Sequence, residues 1–267
     1  MPVGDDVSYL RAGDHRLECA WYGEPAPEIP PGRPVLVFLH EGLGCIEMWR
    51  GVPDELSRLT GLPAFAYSRT GYGRSDGCPW PRPLDYHATE AFDVLPSVLD
   101  AAGIAQAVLI GHSDGGTIAL QAAGRDPRIV GVVTMAAHVF NEDVTIQGIR
   151  EARRAWESTD LRAKLQRYHG GNVDAAFHGW NDTWLTEAFR DWNVEADLAP
   201  VTCPVLVVQG ADDQYGTEAQ VQAIAVGVSG PARALILPDC GHGPHLEAPQ
   251  VLFPEIAAFV ANLSAES

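Results

Sequence analysis

One serine in the chain stands in a sequence that is typical of a catalytic nucleophile. The segment Gly111-His112-Ser113-Asp114-Gly115 has the form G-x-S-x-G, and it lies between an apolar run at residues 107–110 and a helix-compatible stretch at 117–124. A sharp turn from a strand into a helix holds such a serine in a strained conformation, and the glycines avoid clashes of Cβ atoms. This context predicts that Ser113 presents its hydroxyl above a sheet as a nucleophile.

A serine hydroxyl attacks a carbonyl with the help of a base, which in turn needs a carboxylate to orient it. Candidates for both follow later in the chain, each just after an apolar run of strand length. Asp212 and Asp213 follow the run at residues 205–208, and His242 and His245 follow the next one. Open α/β sheets build their sites at the carboxyl ends of strands. The order serine, aspartate, histidine therefore predicts a triad, with two candidates for the acid and two for the base.

The elements that must position these residues are short, continuously apolar strands. Because they do not alternate between apolar and polar residues, we expect burial on both faces and a mostly parallel sheet covered by helices. A hairpin around Gly13 and an irregular, proline-rich loop at residues 25–34 are predicted to precede them. The predicted strands are 35–39, 64–67, 107–110, 130–133, 205–208 and 234–237.

A long stretch without a strand signal, from residue 137 to 202, interrupts this pattern. It is far longer than a crossover helix requires, which predicts an inserted helical subdomain. One helix is predicted over residues 161–168, with Gly170-Gly171 as its end, and a second is predicted to begin at Asn181-Asp182. The predicted domains are a core of residues 1–137 and 203–267, and an insertion of residues 138–202.

These motifs together resemble the α/β-hydrolase superfamily over nearly the whole chain. In that family the acid follows a G-x-x-D pattern, which points to Asp213 rather than Asp212. The base is the first histidine of a G-H-x-x-H-x-E-x-P pattern, which points to His242 rather than His245. The resemblance implies the α/β-hydrolase fold, with helices on both faces of the sheet and an inserted helical cap. It also implies two-step acyl transfer through Ser113 without a cofactor.

The resemblance further implies an oxyanion hole in the loop His40-Glu41-Gly42-Leu43-Gly44, directly after the first predicted strand. In the family, an N–H group of this loop and the N–H of the residue after the nucleophile bind the negative charge of the tetrahedral intermediate. The implied donors are Gly42, with Glu41 as the alternative register, and Asp114. The chain departs from the family pattern because Glu41 stands where glycine is usual.

Two further groups of residues have a different expected role. Residues 68–75 resemble the family's D-x-x-G-x-G-x-S turn, with Ser68 in place of aspartate, and the role of that turn is structural. His242, His245 and Glu247 have side chains that bind metals, but imidazoles beside a nucleophile serve better as bases. We therefore expect no metal.

Several side chains near these motifs are candidates for contact with the substrate. Four of the seven tryptophans fall in the predicted insertion, and one or two should face the pocket, because caps in this family cover the catalytic serine. The carboxylate of Asp114 either attracts a cationic group of the substrate or complements the dipole of its helix. The predicted substrate-binding residues are Glu41, His138, Trp156 and Trp180.

The composition disfavours several classes of partner. With 18 basic and 35 acidic residues, the formal net charge is −17. Binding of nucleic acid or of an anionic membrane surface requires clustered basic residues, so this charge disfavours both. No signal peptide is visible, and the apolar runs are too short to span a bilayer. Five cysteines without C-x-x-C spacing predict free thiols in a reducing cytosol. We expect a cytoplasmic monomer or homodimer that acts on a small molecule.

The predicted reaction is hydrolysis of a carboxylic ester or lactone through an acyl-enzyme, which is EC 3.1.1 chemistry. Residues 40–49, HEGLGCIEMW, together with residues 68–75, resemble a bacterial subgroup associated with serine-dependent macrolide esterases. That short match suggests a macrocyclic lactone as one substrate. Three alternatives stay open: a carbon–carbon bond hydrolase, an aminopeptidase of the same fold, and a ligand-binding protein that keeps the triad but barely turns over.

Overall fold

The computed structural model describes residues 8–23 and 32–263, and these residues contain one eight-stranded sheet. The strands are β1 (Ser8–Ala12), β2 (His15–Tyr22), β3 (Val35–Leu39), β4 (Ala64–Tyr67), β5 (Ala107–His112), β6 (Ile129–Met135), β7 (Val205–Gly210) and β8 (Ala232–Leu237). Their order is β1-β2-β4-β3-β5-β6-β7-β8. The β1–β2 and β2–β4 pairs are antiparallel and the others are parallel. The predicted mostly parallel α/β-hydrolase sheet is confirmed.

Helices cover both faces of this sheet, which explains why its central strands are apolar throughout. In β3, Val35, Val37 and Leu39 face one core, whereas Leu36 and Phe38 face the other, as the two-residue period of a strand requires. All five residues are buried. The strands thus carry apolar side chains on both faces, as parallel strands between helical layers do.

The helices divide between the two faces of the sheet and the segment between β6 and β7. The helices are α1 (Val52–Thr60), α2 (Tyr86–Thr89), α3 (Leu95–Ala101), α4 (Asp114–Ala123), α5 (Asp143–Ser158), α6 (Leu161–His169), α7 (Val173–Trp184), α8 (Glu218–Gly227), α9 (Pro244–Glu247) and α10 (Pro249–Leu263). A π-helical turn, Glu90–Val94, joins α2 to α3. Short 3₁₀ helices lie at Ile46–Trp49, Gly170–Asn172, Glu187–Phe189 and Glu195–Asp197. The cores show that α1 and α10 cover one face and that α3, α4 and α8 cover the other.

Helices α5, α6 and α7 lie between β6 and β7 and share a small aromatic core with Tyr86. The helix predicted over 161–168 is present as α6, and Gly170 follows it with a φ of 53°. The prediction that a helix begins at Asn181-Asp182 is wrong, because α7 begins at Val173 and ends at Trp184. The amide of Asn181 does not cap a helix; it donates to the carbonyl of Ile149 on α5, 2.9 Å away.

The edges of the other predicted elements shift by a few residues. Strands β5, β7 and β8 each extend two residues beyond one end of the predicted run, and β6 extends one residue at its start and two at its end. The antiparallel strands β1 and β2 confirm the predicted hairpin around Gly13. Residues 25–31 of the predicted loop at 25–34 lie outside the described residues. Within residues 8–23 and 32–263, no helix is long and apolar enough to cross a membrane.

Candidate active site

Ser113 lies at the turn between β5 and α4, in a strained backbone conformation. Its φ is 52° and its ψ is −118°, in a region that L-residues rarely adopt. The turn is held by the Ser113 N–H, which donates to the carbonyl of Met135 at 2.8 Å. A Cβ atom at Gly111 or at Gly115 would lie within 2.3 Å of backbone atoms. The two glycines therefore allow the close approach that presents the serine.

His242 and Asp213 form the second part of the site. Nδ1 of His242 lies 2.9 Å from both carboxylate oxygens of Asp213. Burial opposes ionisation of Asp213, but the hydrogen bond from His242 outweighs it, so the pKa of this carboxyl lies below its ordinary value. The structure thus brings Asp213 to His242, whereas the neighbouring Asp212 is exposed. An ionised Asp213 holds the proton of His242 on Nδ1 and leaves Nε2 free to act as a base.

The glycine proposed as oxyanion donor lies directly beneath an aromatic side chain of α7. A Cβ atom built on Gly42 would lie 2.4 Å from Cδ1 of Trp180. Real Cβ atoms do not approach so closely, so any side chain at this position must displace Trp180 or the loop. Both Gly42 and Trp180 line a cavity that also contains Ser113 and His242.

We expect Gly42→Ala to lower kcat about 100-fold, because the added methyl group moves the loop or Trp180, and loss of one oxyanion donor costs that much. The measurement is steady-state hydrolysis of a short-chain p-nitrophenyl ester. Gly51→Ala is the matched control, since its Cβ would meet no atom of the described residues within 4 Å. Full activity in Gly42→Ala would move the loop donor to another residue, with Glu41 as the first alternative.

The carboxylate of Glu41 is turned back over its own loop. Oε2 of Glu41 lies 3.5 Å from Nδ1 of His112, and it occupies the space that a Cβ at Gly44 would need. Nε2 of His112 donates to the carbonyl of His242 at 2.7 Å. Burial opposes ionisation of Glu41 and protonation of His112, but their mutual attraction outweighs it, which lowers the pKa of Glu41 and raises that of His112. The unusual glutamate is thus paired with the residue that precedes the nucleophile.

His245 is buried beside this pair and does not contact Asp213. Its ring centroid lies 4.7 Å from that of His112 and 5.0 Å from that of Trp49. Burial, together with the positive charge of His112, lowers its pKa from the ordinary 6.5 to about 3. His245 is therefore neutral in the folded protein at pH 7.

This neutral histidine makes the fold sensitive to acid. Between pH 6.5 and 3 the unfolded chain binds a proton at His245 that the folded protein does not bind, so stability falls as the pH falls. From pH 7.5 to pH 5, we expect this one group to remove about 2 kcal/mol from the free energy of unfolding. Urea unfolding of the wild type and of His245→Gln at both pH values measures the difference.

The exposed His15 provides the matched control for that experiment. His15→Gln should leave the pH dependence of the wild type unchanged, whereas His245→Gln should reduce it. An equal pH dependence in His245→Gln and wild type would show that His245 takes up its proton without cost in the folded state.

The carboxylate of Asp114 is not part of the lining of the cavity at Ser113. It is buried, accepts a hydrogen bond from Tyr86 Oη at 2.8 Å, and lies 3.3 Å from His87 Nε2 and 3.6 Å from Arg69 Nη2. Although burial opposes its ionisation, the attraction of His87 and Arg69 keeps its pKa below the ordinary value. The expectation that this carboxylate attracts a cationic substrate is wrong, because the protein already supplies its partners.

The cavity at Ser113 contains three of the four predicted substrate-binding residues. Glu41, His138 and Trp180 line it, whereas Trp156 stacks on Phe177 with ring centroids 4.0 Å apart and is not part of the lining. The lining residues that the sequence analysis missed are Leu43, Thr145, Ile149, Trp184 and Tyr215. Helical spacing links Thr145 to Ile149 on α5, but that pattern also fits an ordinary buried face.

Comparisons with known proteins agree with this architecture. The model of the Alpha/beta hydrolase family matches residues 36–255. The serine hydrolase BPHL of Homo sapiens is 30% identical over 188 residues, which cover 68% of this chain and 63% of that protein. Two crystal structures share the fold: the proline iminopeptidase of Mycobacterium smegmatis and the enol-lactonase of Burkholderia xenovorans LB400. The first has a TM-score of 0.72 at 21% identity and covers 98% of this chain and 99% of its own. The second has a TM-score of 0.72 at 20% identity, and the match covers 95% of this chain and 100% of the enol-lactonase chain.

Proposed function

The chain belongs to the alpha/beta hydrolase family, and from this premise we propose that it cleaves a carboxylic ester or lactone through an acyl-enzyme. One observation carries the proposal. Ser113, in a strained turn, and His242, held by Asp213, line the same cavity. A positioned nucleophile and an oriented imidazole are the groups that acyl transfer requires.

In the proposed mechanism, Nε2 of His242 takes the proton of Ser113 while the serine oxygen attacks the carbonyl carbon. The buried carboxylate of Asp213 orients the ring and stabilises the imidazolium that forms. His242 then gives the proton to the leaving alcohol. In the second step His242 removes a proton from water, whose oxygen attacks the acyl carbon. His242 then returns that proton to the Ser113 oxygen as the acyl C–O bond breaks and the acid is released.

The negative charge that develops on the carbonyl oxygen is proposed to be bound by two backbone N–H groups, those of Gly42 and Asp114. Asp114 is the first residue of α4, so its N–H lies at the positive end of the helix dipole. Gly42 lines the cavity next to the serine. Donors of this kind stabilise the tetrahedral intermediate without reorganisation at the moment of reaction.

The size of the cavity favours a small acyl group. Its volume is about 80 Å³, well below the 300 to 1,000 Å³ that is usual for drug-sized ligands. Apolar side chains of the inserted helices, Ile149, Trp180 and Trp184, form much of its wall. We propose that these helices act as a cap of the site and that short acyl chains are preferred. A macrocyclic lactone would need the cap to open.

The charges at the site favour an ester over the substrate of an aminopeptidase. A peptidase of that kind needs a free carboxylate for the substrate's amino group, but Asp114 is paired with Arg69 and Glu41 with His112. We therefore propose neutral esters or lactones as substrates.

A substrate panel on the purified protein tests this proposal. It contains short and long p-nitrophenyl esters, simple lactones, a macrolide, an amino-acid anilide and a vinylogous 1,5-diketone that represents carbon–carbon cleavage. We expect many turnovers on short esters or lactones, with kcat/KM falling as the acyl chain lengthens. Higher kcat/KM on the anilide or the diketone would assign one of the other reactions, and absence of turnover on every substrate would favour the binding protein.

A further inference from the structure

A buried arginine, Arg69, connects the two segments that carry the proposed oxyanion donors. It follows β4, the neighbour of β3 in the sheet, and its side chain is 1% exposed. A guanidinium group out of water must be compensated by charges and acceptors around it. The contacts that compensate Arg69 are therefore informative about its role.

On one side, Arg69 binds the loop after β3. Its Nη2 donates to the carbonyl oxygens of His40 at 3.2 Å and of Glu41 at 3.0 Å. Its own backbone N–H donates to Nε2 of His40 at 3.0 Å, so the proton of that neutral imidazole is on Nδ1, which donates to the Glu41 carbonyl at 2.7 Å. The N–H of Gly44 is a third donor to the same carbonyl, at 3.1 Å.

These three bonds determine the direction of the Gly42 N–H. The carbonyl of Glu41 and the N–H of Gly42 belong to one trans peptide unit, in which the two groups point in opposite directions. Because the carbonyl is bound by Arg69, His40 and Gly44, the N–H points away from that cluster. Gly42 lines the cavity, which is where an oxyanion donor is needed.

The same Nη2 atom of Arg69 also lies 3.6 Å from Oδ2 of the Asp114 carboxylate. The Tyr86 hydroxyl donates a hydrogen bond to the same Oδ2 at 2.8 Å, and the oxygen of this hydroxyl accepts one from the indole N–H of Trp184 at 2.9 Å. Trp184 lines the cavity from α7. The side chain of Asp114 is thus anchored while its backbone N–H remains at the first turn of α4.

We propose that Arg69 is the positioning residue of the oxyanion hole, holding the Gly42 donor through the Glu41 carbonyl and the Asp114 donor through its carboxylate. The inference rests on the proposed function. It assigns no contact with the substrate to Arg69, which acts only through the geometry of the two donors. Such donors must be held to within about 0.5 Å of the productive position.

The test compares two buried arginines. Arg69→Met should lower kcat and the rate at which a fluorophosphonate labels Ser113 by about 10- to 100-fold, while KM changes less than about 3-fold, because only transition-state binding is lost. Affinity for a trifluoromethyl ketone, which forms a tetrahedral adduct, should fall by the same factor. Arg82→Met is the matched control, since Arg82 is also buried but donates to the carbonyl of Thr70. Its kcat should stay within about 3-fold of the wild type.

A double variant separates positioning from stability. Arg69→Met leaves Asp114 buried without its cation, which destabilises the fold, and adding Asp114→Asn removes that charge. We expect the double variant to regain thermal stability and to keep the low kcat. If Arg69→Met does not fold, the double variant and Arg69→Lys are measured instead. Recovery of kcat together with stability would overturn the inference, as would equal losses in Arg69→Met and Arg82→Met.

The labelling experiment also distinguishes failure of the proposed function from failure of the proposed role of Arg69. If the fluorophosphonate does not label Ser113 in the wild type, the proposed function itself fails. If it labels the wild type and the folded Arg69 variants at the same rate, only the positioning role of Arg69 is wrong.

Discussion

Ser113→Ala is expected to lower kcat for ester hydrolysis by about four to six orders of magnitude. Without the nucleophile, only the oxyanion hole and substrate binding remain to accelerate the reaction. The fold should survive, since serine and alanine pay a similar cost at the positive φ of this turn. Hydrolysis of the best ester from the panel and the thermal unfolding midpoint measure the two effects.

Ser113→Gly is the matched control for that experiment. Glycine adopts a φ of 52° without a Cβ penalty, so this variant should be equally inactive and about 1 kcal/mol more stable than the alanine variant. In the wild type, a fluorophosphonate should modify Ser113 alone. Labelling of another residue, or substantial activity in either variant, would disprove the assignment of the nucleophile.

Asp213→Asn is expected to lower kcat by about four orders of magnitude with little effect on stability. An asparagine amide donates to Nδ1 of His242, which moves the imidazole proton to Nε2 and prevents that atom from accepting the proton of Ser113. The measurement is kcat at pH 7 and above, on the best ester of the panel.

The adjacent Asp212 gives this experiment its control. Its side chain is exposed and its N–H donates to the carbonyl of Cys240, so Asp212→Asn should retain wild-type kcat. If Asp212→Asn is inactive and Asp213→Asn is active, the acid of the triad is Asp212 and the assignment of Asp213 is wrong.

The parts of the molecule that local sequence determines were predictable. The strand, turn and helix around Ser113 follow from an apolar run, two glycines and a helix-forming segment, all of which lie within residues 107–124. The same holds for the six predicted strands and for the helix that ends before Gly170. Each depends on backbone conformation and burial pattern, which neighbouring residues set.

Local sequence patterns gave wrong predictions where a side chain contacts a residue that is distant along the chain. Asn181 is a good capping residue by type, but its amide is used by the carbonyl of Ile149, and the start of α7 lies eight residues earlier, at Val173. Trp156 and Trp180 could not be ranked as pocket residues, because both fit the apolar face of a helix. Only the packing of α7 against α5 places Trp156 on Phe177, and only its packing against the loop after β3 places Trp180 over Gly42.

The sequence by itself therefore determined the class of fold and the order of the reactive side chains, since both are written in short, contiguous patterns. The tertiary structure decided the electrostatics of the site. Glu41 meets His112, and Arg69 meets Asp114, because β4, β3 and β5 are neighbours in the sheet, although 71 positions separate Glu41 from His112 and 45 separate Arg69 from Asp114 along the chain. Charges interact through space, so the partner of a buried carboxylate depends on which strand ends meet at the same edge.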